Sequence, residues 1–296
     1  MGVLMKTPIA VMVIVGKILM TVVVIFTLLF LGMTALILLG SVWFGGLDVN
    51  HFLQLPWMNR AILVLSPSAS IAAAMLMYFL FEGKRRWSLG WRQENRWQAA
   101  LEGAYWGMIM MSISFLVIWL FGGIRVISFI MGPGVIEGLL LAVFVFALVA
   151  VGEELLCRGY WYGLIRKDLG PKPAILGTSV VFAGLHLLNS SVLQSPVPLV
   201  NLVLAGVLLG VSREVTGGLW LPIGIHFTWN LFQGNIFGFA VSGLHIESSV
   251  LQIETVGPHL ISGGSFGAEG SLVTTVLLVL FTFIIAWWYQ KRSSLT

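Results

Sequence analysis

Residues 138–165 read GLLLAVFVFALVAVGEELLCRGYWYGLI, an apolar run interrupted by the adjacent pair Glu153 and Glu154. About 20 apolar residues are enough for a helix to cross a bilayer, so this stretch can span one. Carboxylates at membrane depth are costly and are kept mainly where they have a function. The run therefore predicts a membrane helix that carries a polar site.

The composition of the whole chain supports a membrane protein. Hydrophobic residues make up 58% of the 296 residues, charged residues only 9%, and the mean hydropathy is +0.98. Soluble domains carry about 25% charged residues, so this chain cannot cover a globule with polar groups and must use lipid as its solvent. The single cysteine, Cys157, excludes an intrachain disulfide.

Eight apolar segments predict an all-α polytopic fold with about eight transmembrane helices in one integral membrane domain, residues 1–296. The fifth and sixth segments are short for lipid-exposed spans, and Met1–Lys17 is expected to lie along the membrane interface. The segments are Ile18–Leu39, Ala61–Phe81, Gln98–Phe121, Gly138–Ile165, Ala174–Asn189, Pro198–Val211, Gly218–Phe237 and Leu272–Tyr289.

The basic residues predict the orientation, because cytoplasmic loops carry the excess of Lys and Arg. With eight spans and both termini cytoplasmic, the outer segments hold only Arg60 and Arg125 out of 16 basic residues, and Arg158 lies within a span. The remaining 13 are inner: Lys6, Lys17, Lys84, Arg85, Arg86, Arg92, Arg96, Arg166, Lys167, Lys172, Arg213, Lys291 and Arg292.

Two loops have patterns of their own. The block Glu82–Trp97 mixes arginines with tryptophans, which is typical of interfacial anchors; binding of anionic lipid or of a substrate tail is the alternative. The long segment Gly238–Ser271 is expected to be a solvated outer loop without metal-ligand spacing. Its ionisable residues are His245, Glu247, Glu254, His259 and Glu269.

The spacing around the glutamate pair gives its two members different roles. Glu154 and Arg158 are four residues apart and lie on one helix face, so they can form an ion pair. Glu153 is rotated by about 100° from Glu154 and has no such partner. Glu153 is therefore the carboxylate available to act as a general base.

Two further apolar segments carry polar residues at the same depth. His186 lies 14 residues after Lys172, and His226 lies 13 after Arg213, each about 20 Å along a helix. Glu153 reaches this depth only if its helix continues to Ile165, which places Arg158 inside the bundle. Asn230, four residues after His226, can face the same cavity.

Other readings of these residues stay open. His186 can be a core histidine, the His226–Asn230 pair can form interhelical hydrogen bonds, and the glutamate–arginine group can be structural. Cys157, four residues after Glu153, faces the same way and is an alternative nucleophile near His186.

The motifs GEELLCR, FAGLH and HFTWN resemble the CPBP family of intramembrane proteases. This family includes type II CAAX prenyl endopeptidases and bacteriocin-processing or lysostaphin-resistance-like proteins. Its pattern is Glu-Glu-x-x-x-Arg, Phe-x-x-x-His and His-x-x-x-Asn or Asp, and all three parts occur in order within residues 138–237, the expected catalytic core. The matching positions are Glu153, Glu154, Arg158, Phe182, His186, His226 and Asn230.

The resemblance implies an endopeptidase whose site opens toward the cytoplasm. Glu153 would activate a water with His186, while His226 and Asn230 would hold the oxyanion. Glu154 and Arg158 would shape the site electrostatically. If a metal such as zinc is used, its ligands are expected to be Glu153, His186 and His226, but a metal-free glutamate mechanism is chemically sufficient.

The sequence thus predicts a membrane endopeptidase of metallo- or glutamate type that cleaves a membrane-presented peptide. A non-catalytic scaffold or sensor of the same fold, and a proton-coupled transporter, are the alternatives. The expected partners are a peptide or protein substrate and the lipid bilayer, with no nucleic acid. The expected location is the plasma membrane.

Overall fold

The computed structural model describes residues 2–44, 55–83 and 87–294, and each of the eight predicted segments is helical there. The main helices are α1 Gly2–Phe44, α2 Pro56–Phe81, α3 Arg96–Leu120, α4 Pro133–Leu169, α5 Pro171–Leu185, α6 Pro196–Thr216, α7 Trp220–Leu231 and α8 Leu272–Ser293. Strands β1, Ile124–Phe129, and β2, Leu251–Thr255, form one antiparallel pair. The fold is nearly all-α, as predicted.

The sequence marks the ends of several helices. Proline occupies the first turn of α4, α5 and α6, as Pro133, Pro171 and Pro196, where its missing N–H costs no intrahelical hydrogen bond. Gly217 follows α6 in the left-handed conformation, which glycine adopts readily. The connections from α4 to α5 and from α6 to α7 are short, and the helices of each pair pack against each other.

Six helices in the described part of the chain are long and apolar enough to cross a membrane: α1, α2, α3, α4, α6 and α8. The protein is therefore a multi-pass integral membrane protein. Helix α5 has 15 residues and is short, as predicted. The prediction for the sixth segment was wrong, because α6 has 21 residues. The seventh segment forms the other short helix, because α7 has 12 residues and is followed by a π-helical turn at Phe232–Ile236.

Helix α1 runs without interruption from Gly2 to Phe44. The prediction of a separate interfacial segment at Met1–Lys17 was therefore wrong for the described residues. Lys17 forms an ion pair with Glu82, so its charge does not end the apolar helix.

Ion pairs between helix ends define two ends of the bundle. At one, the basic end, Glu82 pairs with Lys17 and Lys167, Arg166 with Glu214, and Arg292 with Glu102. At the other, Arg60 pairs with Glu137 and Arg125 with Glu254. This separation is the one that the charge pattern predicts, although Lys84, Arg85 and Arg86 lie outside the described residues. The cytoplasmic assignment of the basic end stays a prediction.

Residues 238–271 form a folded cap on the end opposite the basic end, so the prediction of a solvated loop holds for its exposed residues but not for the part that packs into the core. The cap contains β2, a helical turn at His259–Ser262 and two 3-10 turns. Phe266 and Ala268 are buried in the core. Gly267 has a φ of +85°, and a Cβ there would lie 2.0 Å from the carbonyl oxygen of Ala240. The backbone at Gly267 therefore packs directly against the backbone at Ala240, and this contact holds the cap in its folded form.

Small residues bring α7 close to α3. A Cβ on Gly103 would lie 2.2 Å from the carbonyl oxygen of Leu221, and one on Gly224 would lie 2.3 Å from that of Ala100. Membrane helices use such small residues to let backbones approach closely. This contact fixes α7 in the bundle and so fixes the position of His226.

Candidate active site

The glutamate pair lies where α4 changes its helical form. The helix is α-helical over Pro133–Glu154, π-helical over Leu155–Trp161 and α-helical again over Tyr162–Leu169. Every residue of the π-helical segment is buried. Short π-helical segments inside α-helices occur frequently at functional sites.

Glu154 and Arg158 form the predicted ion pair. Arg158 Nη1 donates to Glu154 Oε1 at 3.1 Å, and both side chains are 0% exposed. Arg158 Nη2 donates to the carbonyl oxygen of Gly206 at 3.3 Å, which ties α4 to α6. The prediction that Arg158 lies inside the bundle is confirmed. Removing either partner would leave the other charge buried without compensation.

His226 of α7 lies between the two glutamates. Its Nδ1 is 2.9 Å from Glu154 Oε1, and its Nε2 is 3.9 Å from Glu153 Oε2. Because an ionised carboxylate only accepts hydrogen bonds, Nδ1 carries the proton in this contact. The bond to Glu154 fixes the ring so that Nε2 is directed toward Glu153.

His186 lies at the end of α5, and its orientation is also fixed. Its Nδ1 is 2.9 Å from the carbonyl oxygen of Phe182, which can only accept, so Nδ1 donates and Nε2 keeps its lone pair. The Phe182 ring lies 4.8 Å from the His186 ring and 6.5 Å from the His226 ring. Its face also receives Arg158, at 4.6 Å. Phe182 therefore positions three polar side chains of the site.

A cavity of about 780 Å³ brings together four of the predicted site residues. Glu153, His186, His226 and Asn230 line it, whereas Glu154 and Arg158 do not. The Glu153 side chain is 34% exposed, in contrast to 0% for Glu154. The two adjacent glutamates therefore divide as predicted, with one in the cavity and one in an ion pair. The depth argument that placed Glu153, His186 and His226 together is confirmed.

The cavity extends from Glu153 toward the cap and away from the basic end. On α2, for example, it is lined from Ile62 to Ser70, in the half of that helix nearer the cap. The opening toward the cytoplasm that the resemblance implies stays a prediction. Residues toward the cap include Leu63, Ser66, Asn189, Asn201, Ser242 and Glu269.

Cys157 does not reach the cavity. Val145, Val149 and Glu153 recur every four residues on the lining face of α4, and Cys157 is next in this series. The cavity ends at Glu153, however, and Cys157 is 1% exposed within an apolar cluster that includes Met77 and Leu156. The structure gives no support to the alternative of a thiol nucleophile.

The residues expected to hold a metal share a cavity but are not gathered into a metal-binding cluster. The described part of the chain has no group of three or more His, Cys, Asp or Glu side chains arranged to hold an ion. In particular, Glu153, His186 and His226 line one cavity without forming a three-ligand cluster.

One ionisable residue of the cavity, Glu269, was not predicted from the sequence. It was assigned to the solvated loop, but the folded cap places it in the cavity lining. No motif or helical spacing marks Glu269, because only the packing of the cap brings it there. The other acids and histidines of the cap, His245, Glu247, Glu254 and His259, are exposed, as expected for a surface.

The fold and the site together are those of a multi-pass membrane protein with a cavity between its helices, lined by a carboxylate, two histidines and an amide. Residues 135–232 match the family model described as "Rce1-like: Type II CAAX prenyl endopeptidase Rce1-like". This match covers about a third of the chain, from α4 to α7, and includes every predicted site residue. The resemblance to the CPBP family is therefore confirmed over this part of the chain. No curated protein matches the chain.

Proposed function

We propose that the protein is an intramembrane endopeptidase that hydrolyses a peptide bond presented within the membrane. The observation that carries the proposal is the division of the glutamate pair. Glu153 faces a cavity large enough for a peptide segment, while Glu154 is held in an ion pair with Arg158. The family match over the helices that build this cavity supports the same reaction.

Glu153 is the proposed general base. A cavity-facing carboxylate can take a proton from a bound water, and general-base catalysis typically contributes about 10²–10⁴-fold in rate. His186, whose Nε2 keeps its lone pair, would accept the other hydrogen of the same water and so orient it. The protonated Glu153 would then return the proton to the leaving amine.

His226 and Asn230 are the proposed oxyanion donors. The 3.9 Å between His226 Nε2 and Glu153 Oε2 is too long for a direct hydrogen bond. With Nδ1 bonded to Glu154, Nε2 can donate to the carbonyl oxygen next to the attacking water only when the ring is the imidazolium, a state that the neighbouring carboxylates of Glu153 and Glu154 favour. No described residue hydrogen-bonds to the Asn230 amide, which lines the same cavity and can donate as well. Preorganised donors of this kind often give the largest single contribution to acyl-transfer catalysis.

Glu154 and Arg158 are positioning residues in this mechanism. Glu154 fixes the ring of His226, and Arg158 neutralises Glu154. Neither lines the cavity. Their effect on the reaction is therefore expected to pass through the orientation and charge of His226.

The proposed mechanism contains no step through a metal ion, because a carboxylate base is chemically sufficient to activate the water. Protein treated with a chelator, and shown by elemental analysis to hold no bound metal, is expected to keep its turnover. Loss of turnover that returns on adding Zn²⁺ would contradict a glutamate-only mechanism.

The proposed substrate is a membrane-presented peptide or protein, and the proposed location is the plasma membrane. A cysteine introduced at the exposed cap residue Glu247 tests the orientation, since Cys157 is buried and gives no background. We expect an impermeant maleimide to label this cysteine from outside intact cells. Labelling only after the cells are opened would reverse the predicted topology.

The function is tested by reconstituting the full chain in liposomes with a panel of membrane-anchored peptides. Mass spectrometry should find both products of a single cut, and a reaction in H₂¹⁸O should place ¹⁸O in the new C-terminal carboxylate. The same product yield from liposomes without the protein, or no product from any peptide, would contradict the proposal.

A further inference from the structure

The cap contributes a second carboxylate to the proposed active-site cavity. Glu269 lines the same cavity as Glu153 but lies outside residues 135–232, which match the family model. It belongs to a 3-10 turn, Ala268–Gly270, that packs against the end of α6. The family match therefore assigns Glu269 no role.

The Glu269 side chain is held in place by a strained residue. Both the N–H and the hydroxyl of Ser242 donate to Glu269 Oε2, at 2.8 and 2.9 Å. Ser242 has a φ of 47°, in the left-handed region that non-glycine residues rarely adopt. Asn189 fixes its other side by donating to the Ser242 carbonyl oxygen at 2.5 Å. Strained backbone held from two sides is characteristic of sites where orientation matters.

The second oxygen of this carboxylate is free to bind a ligand. Both donors of Ser242 go to Oε2, and no described residue hydrogen-bonds to Glu269 Oε1. Glu269 also forms no ion pair with a described residue, unlike Glu154.

The charge of the cavity is one-sided. Two carboxylates, Glu153 and Glu269, line it together with two histidines, and none of the described lining residues is Lys or Arg. Most of the remaining lining is apolar. A carboxylate in such surroundings is stabilised by pairing with a cation, and no described lysine or arginine of the lining supplies one, so a basic group on a ligand would complement Glu269.

The depth of Glu269 gives the distance of that cation from the reaction. Asn201 of α6 donates to the backbone carbonyl oxygen of Glu269 at 2.7 Å. Gly206 lies five residues after Asn201 on the same helix. Its carbonyl oxygen accepts a hydrogen bond from Arg158, the partner of Glu154, and so marks the level of the glutamate pair. Five residues of helix rise about 7.5 Å. An extended peptide covers this in two to three residues, at about 3.3 Å each.

We propose that Glu269 is a specificity-determining residue that selects a peptide with a lysine or arginine within three residues of the scissile bond. This inference rests on the proposed function and deepens it. The basic side chain would pair with Oε1 of Glu269 while Glu153 acts at the peptide bond. A charge-assisted hydrogen bond of this kind corresponds to about 10- to 100-fold in kcat/KM.

The test compares two series of membrane-anchored peptides that differ only at one residue, Lys or the uncharged norleucine. The residue is moved through the three positions on each side of the cut. The full chain is expected to cleave at least one Lys peptide about 10- to 100-fold better than its norleucine partner. The Glu269→Gln variant is expected to cleave the two equally.

Glu269→Gln is suited to this test because the glutamine carbonyl oxygen can still accept both hydrogen bonds from Ser242. The matched control is Glu247→Gln, which removes an exposed carboxylate of the same cap and should keep the preference for lysine. Equal loss of activity on both peptide series in Glu269→Gln would show a structural role and overturn the proposal. So would a wild-type protein without preference for lysine.

Failure of the proposed function gives a different result. If the wild-type protein cleaves no peptide, the same fluorescently labelled peptides are used as binding probes in liposomes. The Lys peptide should then bind about 10-fold tighter than the norleucine peptide, and Glu269→Gln should remove the difference. Equal binding of both peptides by the wild-type protein would overturn the selection by Glu269.

Discussion

Two buried glutamates of this protein are paired with cationic side chains in similar ways but differ in their consequences. Glu154 pairs with Arg158 and His226 beside the cavity. Glu82, just beyond the end of α2, pairs with Lys17 of α1 and Lys167 of α4. Both carboxylates are 0% exposed.

The difference between the two clusters lies in what surrounds them. The Glu82 cluster joins three helices at the basic end and does not border the cavity, whereas the Glu154 cluster is next to Glu153 and the cavity wall. A buried, paired charge is therefore no sign of an active site by itself. The adjacent carboxylate with access to a cavity is what points to chemistry.

The largest effect on stability is expected when one partner of the Glu154–Arg158 pair is removed. Arg158→Gln leaves Glu154 buried without its full countercharge, which typically costs about 3–5 kcal/mol in the free energy of unfolding. We expect this loss in detergent micelles titrated with SDS. The double variant Glu154→Gln, Arg158→Gln should recover part of the loss. Strictly additive effects of the two substitutions would contradict a coupled pair.

The same removal at the basic end should cost less. Glu82→Gln leaves Lys17 and Lys167, whose side chains are 14% and 16% exposed and can reach water. We expect a loss of about 1–3 kcal/mol in the free energy of unfolding, with kcat unchanged for the folded protein. A drop in kcat as large as that of a cavity variant would mean that the two clusters are not functionally distinct.

The pH dependence of stability sharpens the role of Glu82. Burial alone would raise the pKa of Glu82. The hydrogen bonds from Lys17, Lys167 and Trp87 together outweigh this effect, so the pKa lies below its usual value of 4.5. Stabilisation by a carboxylate with a lowered pKa is complete above the usual value and is lost as the pH falls through the folded pKa.

We therefore expect the stability difference between wild type and Glu82→Gln to be constant near neutral pH and to shrink below pH 4.5. SDS titrations at a series of pH values measure it. A difference that grows as the pH falls would contradict the lowered pKa.

The smallest effect is expected at Cys157, beneath the floor of the cavity. Cys157→Ala removes one buried sulfur atom and should cost about 1 kcal/mol through the space it leaves. The kcat should stay within about twofold of wild type, because the thiol does not reach the cavity. Turnover measured on the best peptide of the panel decides this. Loss of activity in folded Cys157→Ala protein would restore the thiol mechanism.

Local spacing predicted much of the site. Glu154 and Arg158 pair because residues four apart share a helix face, and counting from basic residues at the helix ends placed His186 and His226 at the depth of Glu153. These inferences needed only helix geometry and the cost of charge in lipid.

Features that depend on tertiary packing were not predictable in this way. The hydrogen bond from His226 to Glu154 joins residues 72 positions apart, and only their common depth was predictable from the sequence. The packing of the cap was not predictable, because a glycine such as Gly267 can mark a tight turn without showing what that turn packs against. The position of Glu269 was not predictable for the same reason.

The most direct test of the central claim is the turnover of Glu153→Gln. The substitution keeps the shape of the side chain and removes the base, so we expect kcat to fall by about 10²–10⁴-fold with an unchanged SDS midpoint. Glu137→Gln, on an exposed glutamate of the same helix, is the matched control and should keep full activity. Folded Glu153→Gln protein that cleaves the peptide at the wild-type rate would contradict the account.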